Sequence, residues 1–113
     1  MSVQMNIKWQ PAIRRGNITI DPKCCAVWVA GEEIDLYPKE FDVLHLLMQY
    51  PGWVLSPEQI YGTVWQGDMA GCEYVVYNVI CQLRRKLKNP DVIQTMVGRG
   101  YRFEGKRNTP GAV

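Results

Sequence analysis

Apolar and polar positions change rhythm along this chain, and the change divides it. Up to about residue 36 the apolar residues fall in short β-type runs: Ile18-Thr19-Ile20 closed by Asp21-Pro22, then Ala26 to Ala30, then, past Gly31-Glu32, Glu33 to Leu36. A run around Met5 to Trp9 predicts one more strand. Together they predict a four-stranded antiparallel sheet that packs one face on helices. Gln10 to Gly16, polar and containing Pro11, reads as a loop.

From Pro38 the period becomes helical. Phe41, Leu44, Leu47 and Met48 share one face of a helix that Pro51-Gly52 must stop near Tyr50. Pro38 suits the first helical position, where its missing N–H is not needed, but Tyr37 ahead of it lacks a short side-chain oxygen to cap with. Trp53 to Leu55 is an extended link. Ser56-Pro57-Glu58-Gln59 then reads as a capping box that starts a second helix, carrying Ile60, Val64 and Trp65 inward. After a loop over 66–71, Val76, Ile80, Leu83 and Leu87 mark the buried stripe of a third helix over 72–87, which ends before Asn89-Pro90. Its opposite side carries Tyr74, Asn78, Cys81 and Arg85, flanked by Tyr77 and Gln82. Val92 to Val97 and Tyr101 to Glu104 predict a hairpin joined through Gly98-Arg99-Gly100. Residues 1–105 therefore read as one α+β domain, and the polar tail 106–113 as disordered.

Composition agrees with one folded unit. A chain of 113 residues with 47% hydrophobic positions can bury a core without disulfides or a structural metal. It has neither an 18-residue apolar window nor a secretory leader pattern, so a soluble cytoplasmic protein without membrane contact is expected. Cys24, Cys25, Cys72 and Cys81 form no CxxC pair and have only His45 as a nitrogen partner; reduced thiols and no metal or cofactor are expected.

Charge is distributed unevenly. Residues 1–71 carry five basic against eight acidic side chains, and residues 72–113 eight basic against three acidic. The basic half favours a polyanionic partner, although a cationic run such as Arg84 to Lys88 also suits the end of a helix on dipole grounds. Catalysis finds little support: His45 sits among leucines, Glu32-Glu33 fall in a turn, and no GxSxG, HExxH or phosphate-loop pattern occurs.

Two helices and a connector followed by an arginine-tipped hairpin are the parts of a winged helix-turn-helix. The third helix is slim enough for a major groove, and the hairpin can reach the adjacent minor groove or backbone.

Five segments carry a family resemblance: Tyr37-Pro38-Lys39-Glu40-Phe41-Asp42-Val43-Leu44, Pro51 to Gln59, Val64-Trp65, Leu83-Arg84-Arg85-Lys86-Leu87, and Gly98-Arg99-Gly100-Tyr101-Arg102-Phe103. In this order and spacing the stretch from about Ile18 to Glu104 resembles the OmpR/PhoB-type effector domain of bacterial response regulators. The resemblance implies a three-helix core with an N-terminal four-stranded antiparallel sheet and a C-terminal β-hairpin wing. It implies transcriptional control through double-stranded DNA, with the helix over 72–87 reading bases and the positions of Thr95 and Tyr101 holding phosphates. It further implies a loop over 66–71 able to touch RNA polymerase, and homodimers on tandem half-sites.

The chain departs from that family on the reading helix, where Val79, Cys81 and Gln82 replace the usual charged residues, and on the wing, where Val97 stands in place of an arginine. If the helix reads DNA, Asn78 and Gln82 are suited to adenine and Tyr77 or Cys81 to thymine methyl groups, favouring A·T-rich sites. Arg84, Arg85, Lys88, Arg99 and Arg102 are the candidate phosphate or minor-groove contacts. Arg84 can instead pair with an acidic core residue, and Arg102 can simply face solvent. The alternative function is a protein-interaction module that uses Tyr74, Val75, Tyr77 and Val79 as an apolar patch.

Overall fold

A computed structural model describes residues 10–104. Four strands come first, β1 (Ile13–Arg15), β2 (Ile18–Asp21), β3 (Ala26–Val29) and β4 (Glu32–Ile34), followed by helices α1 (Pro38–Gln49), α2 (Pro57–Val64) and α3 (Cys72–Lys86) and the hairpin β5 (Ile93–Met96)–β6 (Gly100–Phe103). The first sheet has the order β1-β2-β3-β4, antiparallel throughout. The expected winged helix-turn-helix of class α+β is what forms.

One expectation about the sheet is corrected. Ile13–Arg15 is a strand, not part of a loop; the expected strand at Met5 to Trp9 lies outside the described residues, as does the tail 106–113. Two consecutive arginines after a proline conceal β1, yet its pairing is specific. Ile13 faces Ile20, Ile20 faces Val27, and Val27 faces Ile34, so a single aliphatic row crosses all four strands. Side chains alternate between faces, which sets Arg14, Thr19, Trp28 and Glu33 in the row on the other side. Arg15 then donates from Nε to the Met48 carbonyl at 2.9 Å, tying β1 to the last turn of α1.

Ile18, Ile20 and Val27 meet Phe41, Val43, Leu44, Leu47 and Met48 of α1, Ile60 of α2, and Val76, Ile80 and Leu83 of α3 in one core. Leu87, Ile93 and Phe103 complete it from the α3 end and the hairpin. The helix starts follow the sequence. Ser56 Oγ accepts the Gln59 N–H at 3.0 Å and Gln59 Oε1 accepts the Ser56 N–H at 2.8 Å, the reciprocal capping box. Tyr37 gives α1 no side-chain cap, but Glu40 Oε1 accepts the Tyr37 N–H at 2.8 Å.

That carboxylate has a second task. Glu40 is buried, and Lys86 Nζ at the end of α3 donates to it at 2.7 Å while lying 4.3 Å from the centre of the Tyr37 ring. The first and third helices are thus locked by a partly desolvated ion pair. Among the described residues no helix is long and apolar enough to cross a membrane.

Candidate nucleic-acid interface

The third helix divides as its sequence period requires. Val76, Ile80, Leu83 and Leu87 are sealed in the core, whereas Tyr74 is 71% and Tyr77 50% exposed, with Asn78 and Arg85 also at the surface. Cys81 and Gln82 lie half-buried on the flank, and Val79 is drawn partly against the core, so the apolar patch imagined around it narrows to the two tyrosines and part of Val75. Gln82 is not idle in the free protein, since its Oε1 accepts a hydrogen bond from the Arg85 guanidinium.

The cations behave less uniformly than a list of them implies. Arg84 donates from Nε and Nη2 to the Ile93 carbonyl at 3.0 and 2.8 Å, and from Nη2 to Thr95 Oγ1 at 2.7 Å. It fastens the wing to α3 and, among the described residues, pairs with no core carboxylate. Arg102 is likewise engaged, its Nε 2.8 Å from Gln94 Oε1 across the hairpin, where the two residues are register partners. Arg99 stands exposed at the hairpin tip and Lys88 exposed just past α3. Arg85, Lys88 and Arg99 are therefore the cations presented outward, while Arg84 fastens the wing to α3 and Arg102 braces its two strands.

Tyr101 is buried, and its backbone exchanges two hydrogen bonds with Leu55, at 2.8 and 2.9 Å, which hold the wing to the link between α1 and α2. Burial pushes its phenol above the usual tyrosine value, the Arg84 charge opposing this and Cys81, Tyr77 and Glu73 adding to it. Tyr77 is raised as well, chiefly through its hydrogen bond with Cys81. Tyr77, Cys81, Arg84 and Tyr101 thus form one electrostatic neighbourhood where α3 meets the wing.

Sequence reasoning missed two residues of this region. Glu58 and Glu73, in the first turns of α2 and α3, line with Ser56, Thr95, Arg99 and Tyr101 a cleft of about 410 Å³ between the helices and the wing. Each is an ordinary first-turn acid when its own helix is considered alone. Packing of α2 on α3 brings them together, and the wing closes the cleft they share.

A three-helix core with a hairpin docked against its last helix defines the winged-helix class. Residues 31–103 match the family described as "Transcriptional regulatory protein, C terminal". The chain belongs to this family, the OmpR/PhoB-type effector domains of transcription regulators. It is 41% identical over 93 residues to the transcriptional regulatory protein CutR of Streptomyces coelicolor, covering 82% of this chain and 43% of CutR. It is 38% identical over 91 residues to the regulatory protein VanRB of Enterococcus faecalis, covering 80% and 41%. The chain thus spans less than half the length of these relatives. Among solved structures, the DNA-binding domain of Klebsiella pneumoniae RstA in complex with the RstA box superposes with a TM-score of 0.77 at 28% identity, over 84% of this chain and 98% of that one. The DNA-binding domain of CpxR from E. coli gives 0.78 at 26%, over 87% and 100%. The response regulator DrrB of Thermotoga maritima, an OmpR/PhoB homologue, gives 0.76 at 30%, over 85% and 45%.

Proposed function

We propose that this chain is the sequence-specific DNA-binding output domain of a bacterial response regulator, working in the cytoplasm without enzymatic activity. The observation that carries this reading is the exposed face of α3, bounded by outward cations at its C-terminal end and flanked by a hairpin whose tip carries Arg99. Such a helix fits the major groove while the wing follows the neighbouring backbone or minor groove. RstA, a relative in fold, is a DNA-binding domain crystallised on its own box.

Within this reading Asn78 and Gln82 face adenine edges, and Tyr77 and Cys81 the thymine methyls. Gln82 meets a base with both amide atoms only after Arg85 releases its oxygen. Arg85, Lys88 and Arg99 supply the exposed cations for phosphate. Arg84, Thr95, Tyr101 and Arg102 join them at the backbone as a positioned set, because bonds that seat the wing or brace its strands already hold them. The loop over 66–71 is the surface offered to RNA polymerase, and two copies occupy tandem half-sites.

Selection from a random duplex library at about 100 mM salt tests this, since specific binding must survive the competition of non-specific sites. Enrichment of a spaced repeat with an A·T-rich core is expected. The exposure of Tyr74 and Tyr77 favours a second reading, a protein-interaction module. Recovery of no preferred sequence, with affinity insensitive to salt, would overturn the DNA reading in its favour.

A further inference from the structure

The fold accounts for two of the four thiols. Cys72 is buried at the start of α3, and Cys81 is half-buried beside Tyr77. Cys24 and Cys25 have no such place. They stand exposed and adjacent in the four-residue loop that joins β2 to β3, just outside the paired Asp21 and Ala26. Free cysteine is ordinarily among the most buried residue types, so two in succession at a hairpin tip serve no packing need. The second also occupies an unfavourable backbone position. Cys25 has a φ of 55°, in the left-handed region where glycine or asparagine is the low-cost choice.

The loop is nonetheless held in shape. The Asp21 carboxylate accepts the Lys23 backbone N–H at 3.0 Å and lies 3.2 Å from its ammonium, while Cys25 Sγ approaches the Pro22 carbonyl at 4.0 Å. The turn that presents the thiols is therefore fixed by its own polar contacts.

We propose that Cys24 and Cys25 form a dithiol site for a thiophilic trivalent oxyacid of the arsenous type. Neighbouring Cα atoms across a trans peptide are about 3.8 Å apart, shorter than the roughly 4.4–6.8 Å at which cysteines usually join as a disulfide. A direct bond between these two sulfurs is therefore strained. A centre that bonds to both sulfurs keeps them apart and enlarges the ring by one atom, which removes that objection. The chemistry balances without electron transfer: two S–H and two As–OH bonds break, two As–S bonds form, and two waters leave. Arsenic remains trivalent throughout. The site shares no residue with α3 or the wing, and Lys23 Nζ beside it lies 3.5 Å from the Gln10 carbonyl.

The test is uptake of phenylarsine oxide by the folded full chain, read by intact mass, by the count of alkylatable thiols and by peptide mapping. One equivalent is expected to bind with loss of two thiols, both mapping to 24 and 25. Cys24→Ser and Cys25→Ser should each weaken uptake by about 100-fold, because a monothiol forfeits the advantage of intramolecular closure. Cys81→Ser should bind like the parent chain. A dithiol competitor should strip the probe where a monothiol at the same thiol concentration does not. Unchanged affinity in either exposed-thiol variant, uptake mapping to Cys81, or release by the monothiol would overturn the proposal. All three variants lie at surface or half-buried positions, and an unchanged circular dichroism spectrum serves as the folding control.

Discussion

At Gly100 the backbone of the wing passes so close to the link before α2 that a Cβ would stand 2.0 Å from the Leu55 carbonyl oxygen and 2.9 Å from Ser56 Cα. Its φ of 149° adds a conformation that side-chain-bearing residues rarely adopt. Gly100→Ala is expected to cost about 3 kcal/mol, measured as a shift of the urea midpoint, since the obstacle is backbone and cannot rotate away. The glycine was visible in the sequence as a turn residue; the reason that only glycine fits came from a segment 45 positions earlier. His45 gives a second residue-scale expectation. Its Nε2 is buried without a hydrogen-bond partner among the described residues, and desolvation holds its pKa below the ordinary histidine value, with Asp42 opposing. A depressed histidine takes up its proton more readily unfolded, so its unfavourable effect is absent above the unfolded value near 6.5 and grows as pH falls below it. Thermal unfolding from pH 7.5 to 5.5 should show stability falling toward acid, and His45→Gln should flatten that slope. A slope unchanged by the substitution would place its origin elsewhere.

At the scale of elements, α1 and α3 are joined by charge as well as by apolar contact. Removing Lys86 leaves the Glu40 carboxylate buried without its cation, so Lys86→Met should destabilise by about 3 kcal/mol, whereas the double change Glu40→Gln with Lys86→Met, which keeps an acceptor for the Tyr37 N–H, should recover much of that loss. Equal losses in the single and double variants, by chemical denaturation, would show that the ion pair carries none of the effect. The pairing was illegible beforehand, because Glu40 reads as a first-turn acid and Lys86 as a last-turn base, each sufficient for its own helix. On α3 itself the hydrogen bond from Arg85 to Gln82 changes a sequence expectation. Treated separately, Gln82→Ala should reduce discrimination at one base pair by about 1–3 kcal/mol and Arg85→Ala should weaken all DNA alike. Since the two side chains are joined, their effects on specific binding should be non-additive in a double-mutant cycle, by about 1 kcal/mol. Strict additivity would mean that the bond plays no part in recognition.

For the whole molecule, the distribution of cations sets how binding responds to salt. Each phosphate neutralised contributes about 0.9 to the slope of log affinity against log salt. Arg99→Ala should reduce the slope by roughly one contact without altering stability, because the side chain lies exposed at the hairpin tip. Arg84→Ala should act differently. It removes the bonds to Ile93 and Thr95, so it should lower thermal stability and weaken DNA binding together. An Arg84→Ala protein as stable as the parent would contradict the anchoring role.

Periodicity and punctuation determined much of this protein unaided: the three helices, the Ser56 capping box, the α3 stripe and the hairpin are encoded within a few residues of where they form. These features depend on local backbone chemistry and on which side chains avoid water, and both can be read along a line. Tertiary structure alone decided that Ile13–Arg15 is a strand, that Glu40 meets Lys86, that Glu58 and Glu73 share a cleft, and which arginines are spent on the wing. Each of these follows from contacts between distant segments. The free energy of a charge or an edge strand depends on what is packed against it, and a neighbour far along the chain leaves no mark on the local pattern.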